Sequence, residues 1–348
     1  MVFICVIIAA AVLKIAASVI LPLTIAFLLA FVMYPIVEWL DKHRIPRFVS
    51  ILLIVAIIAC GLYFFAMVLF TTGSNILSIY PKYEYRLTEI YIQAARMFEL
   101  PYNEYLSFWE NLWGQLGIRT WVYGFAFSFS NIFIQFMSNA LLVVIFIVFI
   151  LLEAAYFRDK LNAAFEARAD RINKMGRDLI SQVTRYLTAK FFISFANGLL
   201  NGIVFYLIGL EFAVLWGVIS FVVNFIPVLG STAAGVCVSL FALVQFWPNP
   251  VPVIIAAAYL LAINIIIGSF FDPKLVGEHV GISPLMVFIS LGIWGYIWGF
   301  AGMVIAVPMT VIIKIVCENI PILEPVSVLM GTRKSVQIKK AEHEKTEN

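Results

Sequence analysis

Asn197 and Asn201 stand four residues apart in an apolar run, so a helix would place both amides on one face, with Lys190 near the start of the same run. Amides offer donors and acceptors without charge, which suits a neutral polar molecule. Farther along, Asn224-Phe-Ile-Pro227-Val-Leu-Gly230-Ser231 reads as an Asn-to-Pro break ending in glycine, and Asn264 precedes Gly268. Pro227 frees a helical carbonyl, and exposed backbone at membrane depth is tolerated only against protein or a water-filled cavity. Broken helices of this kind build transporter binding sites. The plainer reading of the same residues is a buried interhelical hydrogen bond followed by a loop-forming Pro-Gly pair. Asp272-Pro273-Lys274 forms the second constellation. An Asp at a helix exit opposes the helix dipole unless Lys274, or a distant cation such as Lys190 or Arg185, compensates. That makes it a candidate gate, against the simpler reading of a solvated turn with a local ion pair.

Other chemistry is excluded by motif. The chain contains no Gly-x-x-x-x-Gly-Lys-Ser/Thr, Gly-x-Gly-x-x-Gly, His-Glu-x-x-His or Gly-x-Ser-x-Gly, so no nucleotide-driven step, catalytic residue or cofactor is expected. Cys5, Cys60, Cys237 and Cys317 are dispersed in apolar runs and read as small hydrophobes, and the dispersed histidines suggest no metal site.

The elements that must position these residues are membrane helices. No charged side chain occurs between Glu211 and Asp272, and further charge-free runs lie between Lys14 and Glu38, Arg47 and Lys82, Arg119 and Glu153, and Glu278 and Lys314. Each exceeds the roughly 20 residues that cover a ~30 Å hydrocarbon core. With 63% hydrophobic residues, 12% charged and a mean hydropathy of +1.01, the composition is that of a polytopic α-helical membrane protein, and a β-barrel would need alternation at every second residue. The net charge of +3 is distributed by topology and is not a nucleic-acid signal. The expected fold is therefore all-α, with about eight spans and amphipathic interfacial helices.

Positive-inside asymmetry orients the map. Helices at about 2–20 and 22–40 form a first hairpin returning to the basic turn Asp41-Lys42-His43-Arg44, and with a third helix they make an N-terminal transmembrane region, 1–72. Met1 to Ile20 lacks a basic leader and is read as helix one rather than a cleaved signal, with Lys14 awkwardly deep within it. The stretch 73–130 mixes Tyr80, Tyr83, Tyr91, Trp109, Trp113 and other aromatics with balanced charge, the composition of an extracytoplasmic segment lying on the membrane. A helix at 131–153 leads to 154–190, the densest basic region, which is expected to be cytoplasmic and amphipathic. The C-terminal bundle, 191–320, includes a rigid outer turn at Trp247-Pro248-Asn249-Pro250. Residues 281–320 are expected to be either two full helices or a re-entrant hairpin near 281–300 followed by a final span, with Gly295 and Gly299 spaced for helix packing. The tail, 321–348, is expected in the cytoplasm, as is the N-terminus, in a cell (inner or plasma) membrane.

Five motifs in order carry a resemblance: Pro22-Leu-Thr-Ile-Ala-Phe-Leu-Leu-Ala30, Arg185-Tyr-Leu-Thr-Ala-Lys190, Asn224-Phe-Ile-Pro-Val-Leu-Gly-Ser231, Phe271-Asp-Pro-Lys-Leu-Val-Gly277 and Gly302-Met-Val-Ile-Ala-Val-Pro-Met-Thr310. Over about residues 20–320 the chain resembles the autoinducer-2 exporter family. The resemblance implies a multi-pass permease without an ATPase and a homo-oligomer, with pentamers known in the family. Members are linked to export of autoinducer-2 in quorum sensing, and others to sodium–proton antiport. It carries motif positions onto Lys190, Asn224, Pro227, Gly230, Asp272, Pro273, Lys274 and Pro308. The leading expectation is export of a small polar organic solute across the lipid bilayer, with Asn197, Asn201, Asn224 and the backbone at Pro227 lining the path and Lys190 and Asp272 at its cytoplasmic end. A sodium (cation)/proton antiporter is the alternative, disfavoured by the scarcity of acids inside the spans, and an oligomeric scaffold or sensor is the third reading.

Overall fold

The computed structural model describes residues 2–98, 118–164, 169–227, 229–268, 281–320 and 322–332. Ten α-helices account for nearly all of them: α1 Val2–Ile15, α2 Ala17–Lys42, α3 Arg47–Phe98, α4 Ile118–Ala164, α5 Ala169–Ile208, α6 Ala213–Val223, α7 Leu229–Phe246, α8 Pro250–Ile266, α9 Pro284–Asn319 and α10 Glu324–Met330. Among the described residues, extended pairing is limited to one antiparallel bridge, Ile282 to Gly331. Six of the helices (α2, α3, α4, α5, α7 and α9) contain stretches long and apolar enough to cross a membrane, and α6 and α8 are shorter apolar helices. The chain is an all-α polytopic membrane protein. The exposed Leu52, Phe70 and Leu207 are what a lipid-facing surface requires, because in a bilayer the outside is as apolar as the core.

Helix ends depart from the sequence expectation at several places. Residues 2–42 do not form a hairpin. Ala16 N–H still donates to Val12 O (2.9 Å) and Ile20 N–H to Ala16 O (2.9 Å), so helical bonding continues on both sides of a bend. No glycine lies in this stretch to turn the chain, and Pro22 is absorbed inside α2. The third helix does not stop near 72 but runs 52 residues to Phe98, roughly 78 Å, and α4 begins at Ile118, well before 131. Residues 73–98 therefore extend a membrane helix instead of lying as a separate cap. Aromatic and charged residues at helical spacing sustain such an extension as readily as an interfacial helix, which is why composition did not separate them.

The chain divides into two compact units. The first comprises residues 1–59, 140–194 and 266–348, and the second 60–139 and 195–265, so α3, α4 and α5 each contribute to both. The core of the first unit gathers Ala26, Ala30 and Val37 of α2, Ile51 and Ile54 of α3, and Ile147 and Leu151 of α4. Alanine at two consecutive turns of α2 lets the helices approach closely, which is how association is driven where lipid supplies no hydrophobic force. Arg47 donates from Nη2 to Leu151 O (2.8 Å), satisfying a carbonyl near the end of the apolar run. Pro35, inside α2, leaves Phe31 O without its helical donor, and the Thr184 hydroxyl of α5 supplies one at 2.8 Å.

The segment that sequence left open is a helical hairpin. Gly299, at φ 62° and ψ −140°, breaks α9 into arms 284–298 and 300–319. The arms fold back so closely that a Cβ on Gly302 would lie 2.0 Å from Trp294 O. Ser290 Oγ donates to Ala306 O across the pair (2.9 Å) and sits 2.6 Å from Thr310 Oγ1. Gly295 and Gly299 do not form a joint packing face as their spacing suggested, because Gly299 is the turn, and the close approach belongs to Gly302. At ~22 Å the first arm is short of a ~30 Å core. Near the turn, Trp298 Nε1 donates to Leu13 O (3.0 Å) and the Lys14 ammonium lies 3.8 Å from the Tyr296 ring centroid. Lys14 is thus held over an aromatic face, a contact that eases the cost of a cation deep in apolar surroundings.

The second unit centres on Phe205 of α5, Leu210, Ala213 of α6, Val238 and Ala242 of α7, and Ala256 and Leu260 of α8. Within it α5 and α6 pack backbone to backbone, where a Cβ on Gly198 would meet Gly217 O at 2.7 Å and one on Gly217 would meet Gly198 O at 2.8 Å. The connection between these helices turns at Gly209, whose φ of +80° glycine adopts without strain.

Candidate functional site

In the second unit, the α5–α6 seam brings polar groups in with the glycines. Each asparagine of the repeated Asn-Gly pair is followed by a seam residue, Asn197 by Gly198 and Asn201 by Gly202. The glycines let the α6 backbone close in, and the neighbouring amides are carried inward beside it. Asn197 and Asn201 are 2% and 3% exposed, and Asn201 Nδ2 donates weakly to Asn197 Oδ1 at 3.4 Å. On α6, Ser220 is equally buried, and Asn224, one turn later, caps its C-terminus with its side chain inside the protein.

These groups are not all satisfied. Asn201 Oδ1 and Ser220 Oγ are buried and have no hydrogen-bond partner among the described residues, and neither have Trp216 Nε1 on α6 and Tyr259 Oη on α8. Leaving such an atom unpaired costs roughly 1–3 kcal/mol, so each is a point at which water or a polar molecule could bond. Asn264 Nδ2 of α8 reaches Ser231 O of α7 at 3.4 Å, a second amide turned toward backbone.

Pro227 lies in the break between α6 and α7, where Gly230 N–H donates to Ile226 O at 3.2 Å. Gly230 permits the break: a Cβ there would lie 1.8 Å from Val223 O. The Asn-to-Gly motif is thus a tight reversal whose proline and glycine have separate steric duties.

One end of the second unit is tied by ions and amides. Lys82 and Tyr83 of α3 both donate to the Glu211 carboxylate in the α5–α6 connection. Gln245 of α7 accepts from Glu211 N–H and donates to Gly209 O, each at 2.8 Å. Burial alone would raise the Glu211 carboxyl, but hydrogen bonds from Lys82 and Tyr83 and the charges of Lys82 and Arg86 outweigh it and hold it below the ordinary value. Burial, with the Glu211 bond adding to it, pushes the Tyr83 phenol well up.

In the first unit, Lys190 on α5 is 2% exposed and Pro308 in the second arm of α9 is fully buried. Lys314, also on that arm and 8% exposed, pairs with Glu318 at 3.4 Å. Asp272, Pro273 and Lys274 lie outside the described residues, so the expected gate with Lys190 has no geometry here. Asn197, Asn201 and Asn224, by contrast, are each buried in the second unit, the first two in contact. Sequence reasoning passed over Ser220, Gln245 and Gly198. The Ser220–Asn224 spacing repeats that of Asn197–Asn201, and Gly198-x-x-x-Gly202 has the small-residue spacing of close helix pairs, so both carried a signal. Gln245 carried none, because only the turn at Gly209 gives it a partner. Among the described residues no group of His, Cys, Asp and Glu is arranged to hold a metal ion.

Residues 3–322 match the model of a family described as AI-2E family transporter. A putative transport protein of Borreliella burgdorferi is 29% identical over 319 residues, covering 91% of this chain and 86% of that protein. The AI-2 transport protein TqsA of Escherichia coli K12 is 27% identical over 330 residues, covering 91% of each chain. A sodium-lithium/proton antiporter of Halobacillus andaensis is 26% identical over 179 residues, 51% of this chain and 50% of that protein. The family match extends over almost the whole sequence, from α1 through the α9 hairpin, and on that ground the chain belongs to the AI-2E family of membrane transporters.

Proposed function

We propose that this permease exports a small polar organic solute, with an autoinducer-2-like molecule as the first candidate. The observation that carries the reading is the buried, uncharged polar seam of α5 and α6, in which Asn201 Oδ1 and Ser220 Oγ await partners. A hydroxyl-rich neutral solute supplies donors to one and either role to the other without bringing a charge into apolar surroundings. The name of the TqsA relative supports the substrate class, and the family supports transport. In this reading Asn197, Asn201 and Asn224 line the path, Pro227 and Gly230 shape its wall, and Asp272 with Lys274 gates the cytoplasmic end. The C-terminal tail faces the cytoplasm and the working form is a homo-oligomer.

Cation–proton antiport is the second reading. It is favoured by the antiporter relative and by an ion pair, Lys314 and Glu318, on an apolar helix. One experiment separates the two. Purified full-length protein in proteoliposomes is assayed for efflux of a labelled autoinducer-2-like furanone while internal pH is followed during a sodium jump. Asn201→Leu keeps the side-chain size and removes the amide, so efflux should fall roughly ten- to hundredfold, the equivalent of one lost buried hydrogen bond. Unchanged efflux in this variant would end the seam proposal. A sodium-driven pH change without furanone efflux would establish the antiporter, and its loss in Asp272→Asn would place the carboxylate in that cycle.

A further inference from the structure

A groove of about 540 Å³ opens in the first unit between α2 and α5, lined by Pro35, Ile180, Ser181, Thr184, Arg185 and Thr188. Its walls have a specific origin. Thr184 fastens α5 to α2 by donating to Phe31 O, the carbonyl that Pro35 leaves free, and beside that fastening the proline ring fills less space than a longer side chain would. Along α5, Arg177, Ser181, Arg185 and Thr188 recur at three- and four-residue spacing, so hydroxyls and guanidinium share one face. Arg185 is exposed and makes no ion pair among the described residues. The only acid of the same stretch, Asp178, lies almost two turns away and is outnumbered by Lys174, Arg177 and Arg185.

The position of the groove along both helices says what fills it. On α2 the charge-free run ends at Glu38, just after Pro35, and on α5 it begins just after Lys190. Arg185 therefore lies about 9 Å from the start of the apolar stretch, at the height of a phosphate, while Pro35 and Ile180 offer apolar contact beside it. On the helix ends of this side Lys42, Arg47 and Lys160 pair with Glu38, Asp41 and Glu153, and the excess left by Arg44, Lys174 and Arg177 is the basic bias of a cytoplasmic leaflet, whose lipids are rich in negative charge. The groove wall is almost wholly apolar and suits the glycerol and upper acyl chain, while the Arg185 guanidinium beside it matches the oxygens of a phosphate diester. A zwitterionic headgroup would set its own cation beside the basic face.

We propose that the groove between α2 and α5 is a binding site for an anionic phospholipid, with Arg185 anchoring the phosphate of its headgroup and Ser181 and Thr188 in the wall beside it. The occupied site would brace α5 at the point where it enters the membrane. It rests on neither of the transport readings above.

The test uses the full-length protein in mild detergent, titrated separately with phosphatidylglycerol, phosphatidylcholine and inorganic phosphate. Retained lipid is counted by native mass spectrometry and thermal unfolding is followed in parallel. Phosphatidylglycerol should be retained and should raise the melting temperature, with phosphatidylcholine at least tenfold weaker. Arg185→Gln should lower phosphatidylglycerol retention roughly tenfold or more, as loss of a charge-assisted contact does. Lys174→Gln, which removes a nearby exposed charge outside the groove, should leave it unchanged. Ser181→Phe fills the groove without altering charge and should also displace the lipid, so the proposal stays testable if Arg185→Gln fails to fold. Equal retention by wild type and by either groove variant would overturn it. So would an equal loss in Lys174→Gln, which indicates diffuse attraction, or protection by inorganic phosphate alone, which indicates a free-anion site.

Discussion

Replacing Gly302 by Ala tests whether the two arms of α9 touch backbone to backbone. A Cβ at this position would lie 2.0 Å from Trp294 O and 2.7 Å from Trp294 C, neither of which can rotate away. Carbon and oxygen need roughly 3.5 Å, so the arms must part by about 1.5 Å. That separation stretches the 2.6 Å Ser290–Thr310 contact and the 2.9 Å bond from Ser290 to Ala306 O beyond hydrogen-bond range. Overpacking of about 1–3 kcal/mol and two buried hydrogen bonds of about 1 kcal/mol each give a loss of about 3–5 kcal/mol. Gly292→Ala is the control, since it lies on the same arm and its Cβ would meet nothing within 4 Å. Thermal unfolding in detergent should drop by roughly 5–10 °C for Gly302→Ala and not for Gly292→Ala. Cys317, buried on the second arm, provides a local reading. With the other cysteines changed to serine, its alkylation should accelerate in Gly302→Ala alone. Wild-type stability together with a protected Cys317 would refute the backbone contact and the hairpin built on it.

Gly217→Ala should destabilise the second unit by about 1–3 kcal/mol, because its Cβ would stand 2.8 Å from Gly198 O and 3.1 Å from Gly202 Cα, and solute efflux should fall with the melting temperature. A normal melt and normal efflux would mean the α5–α6 seam is looser than the structure has it. Glu211→Gln should cost about 1 kcal/mol at neutral pH, the discounted worth of a partly exposed charged cluster. Its pH dependence follows from the lowered carboxyl of Glu211: the stabilisation is complete above the ordinary value of 4.5 and is lost as pH falls through the lower folded value. The difference in melting temperature between wild type and Glu211→Gln should therefore be flat from pH 8 to about 5.5 and shrink below pH 4.5. A difference that persists unchanged at pH 3 would show that the carboxylate is not what Lys82 and Tyr83 hold.

Charge-free runs made the membrane class and most crossings legible, because excluding charge from hydrocarbon is the strongest constraint on such a sequence. The Asn224-to-Gly230 break was legible for a related reason: Pro227 removes a helical donor and Gly230 three residues later weakens the helix further, so together they favour a reversal. What composition could not convey was where a helix stops once it leaves the bilayer. Tyr83, Arg86 and Glu89 satisfy an interfacial helix and a 52-residue continuation equally well, and it is the contact with Glu211, far along the chain, that shows α3 persisting. The bend at Ala16 was misread for the opposite reason, since a long apolar run followed by Pro22 implies a turn only if the proline falls outside the helix. Gly302 stood in the sequence as an ordinary small residue, and the spacing of Gly198 and Gly202 signalled a close helix pair without naming the partner. Their importance lies in which backbone opposes them, and that is a property of pairing rather than of any single helix.

The two glycine hairpins together separate polar residues that hold the fold from those free to act. In both, a glycine lets two backbones meet, and polar side chains are drawn in beside the contact because lipid offers them nothing better. In α9 the circuit closes: Ser290 donates to Ala306 O, and the Thr310 hydroxyl, 2.6 Å from Ser290 Oγ and 2.8 Å from the same carbonyl, places its one hydrogen between them, so a solute would have to break existing bonds to enter. In the α5–α6 seam the circuit is open. Asn201 gives a long 3.4 Å bond to Asn197 and keeps an unpartnered oxygen, and the Ser220 hydroxyl is equally unmatched among the described residues. An unpaired buried polar group lowers stability, whereas an apolar residue of similar size would not, so the seam carries a cost that packing alone does not explain. A passing solute that completes those bonds only transiently would recover that cost and still be released, which is what transport requires and what the closed circuit of α9 could not provide.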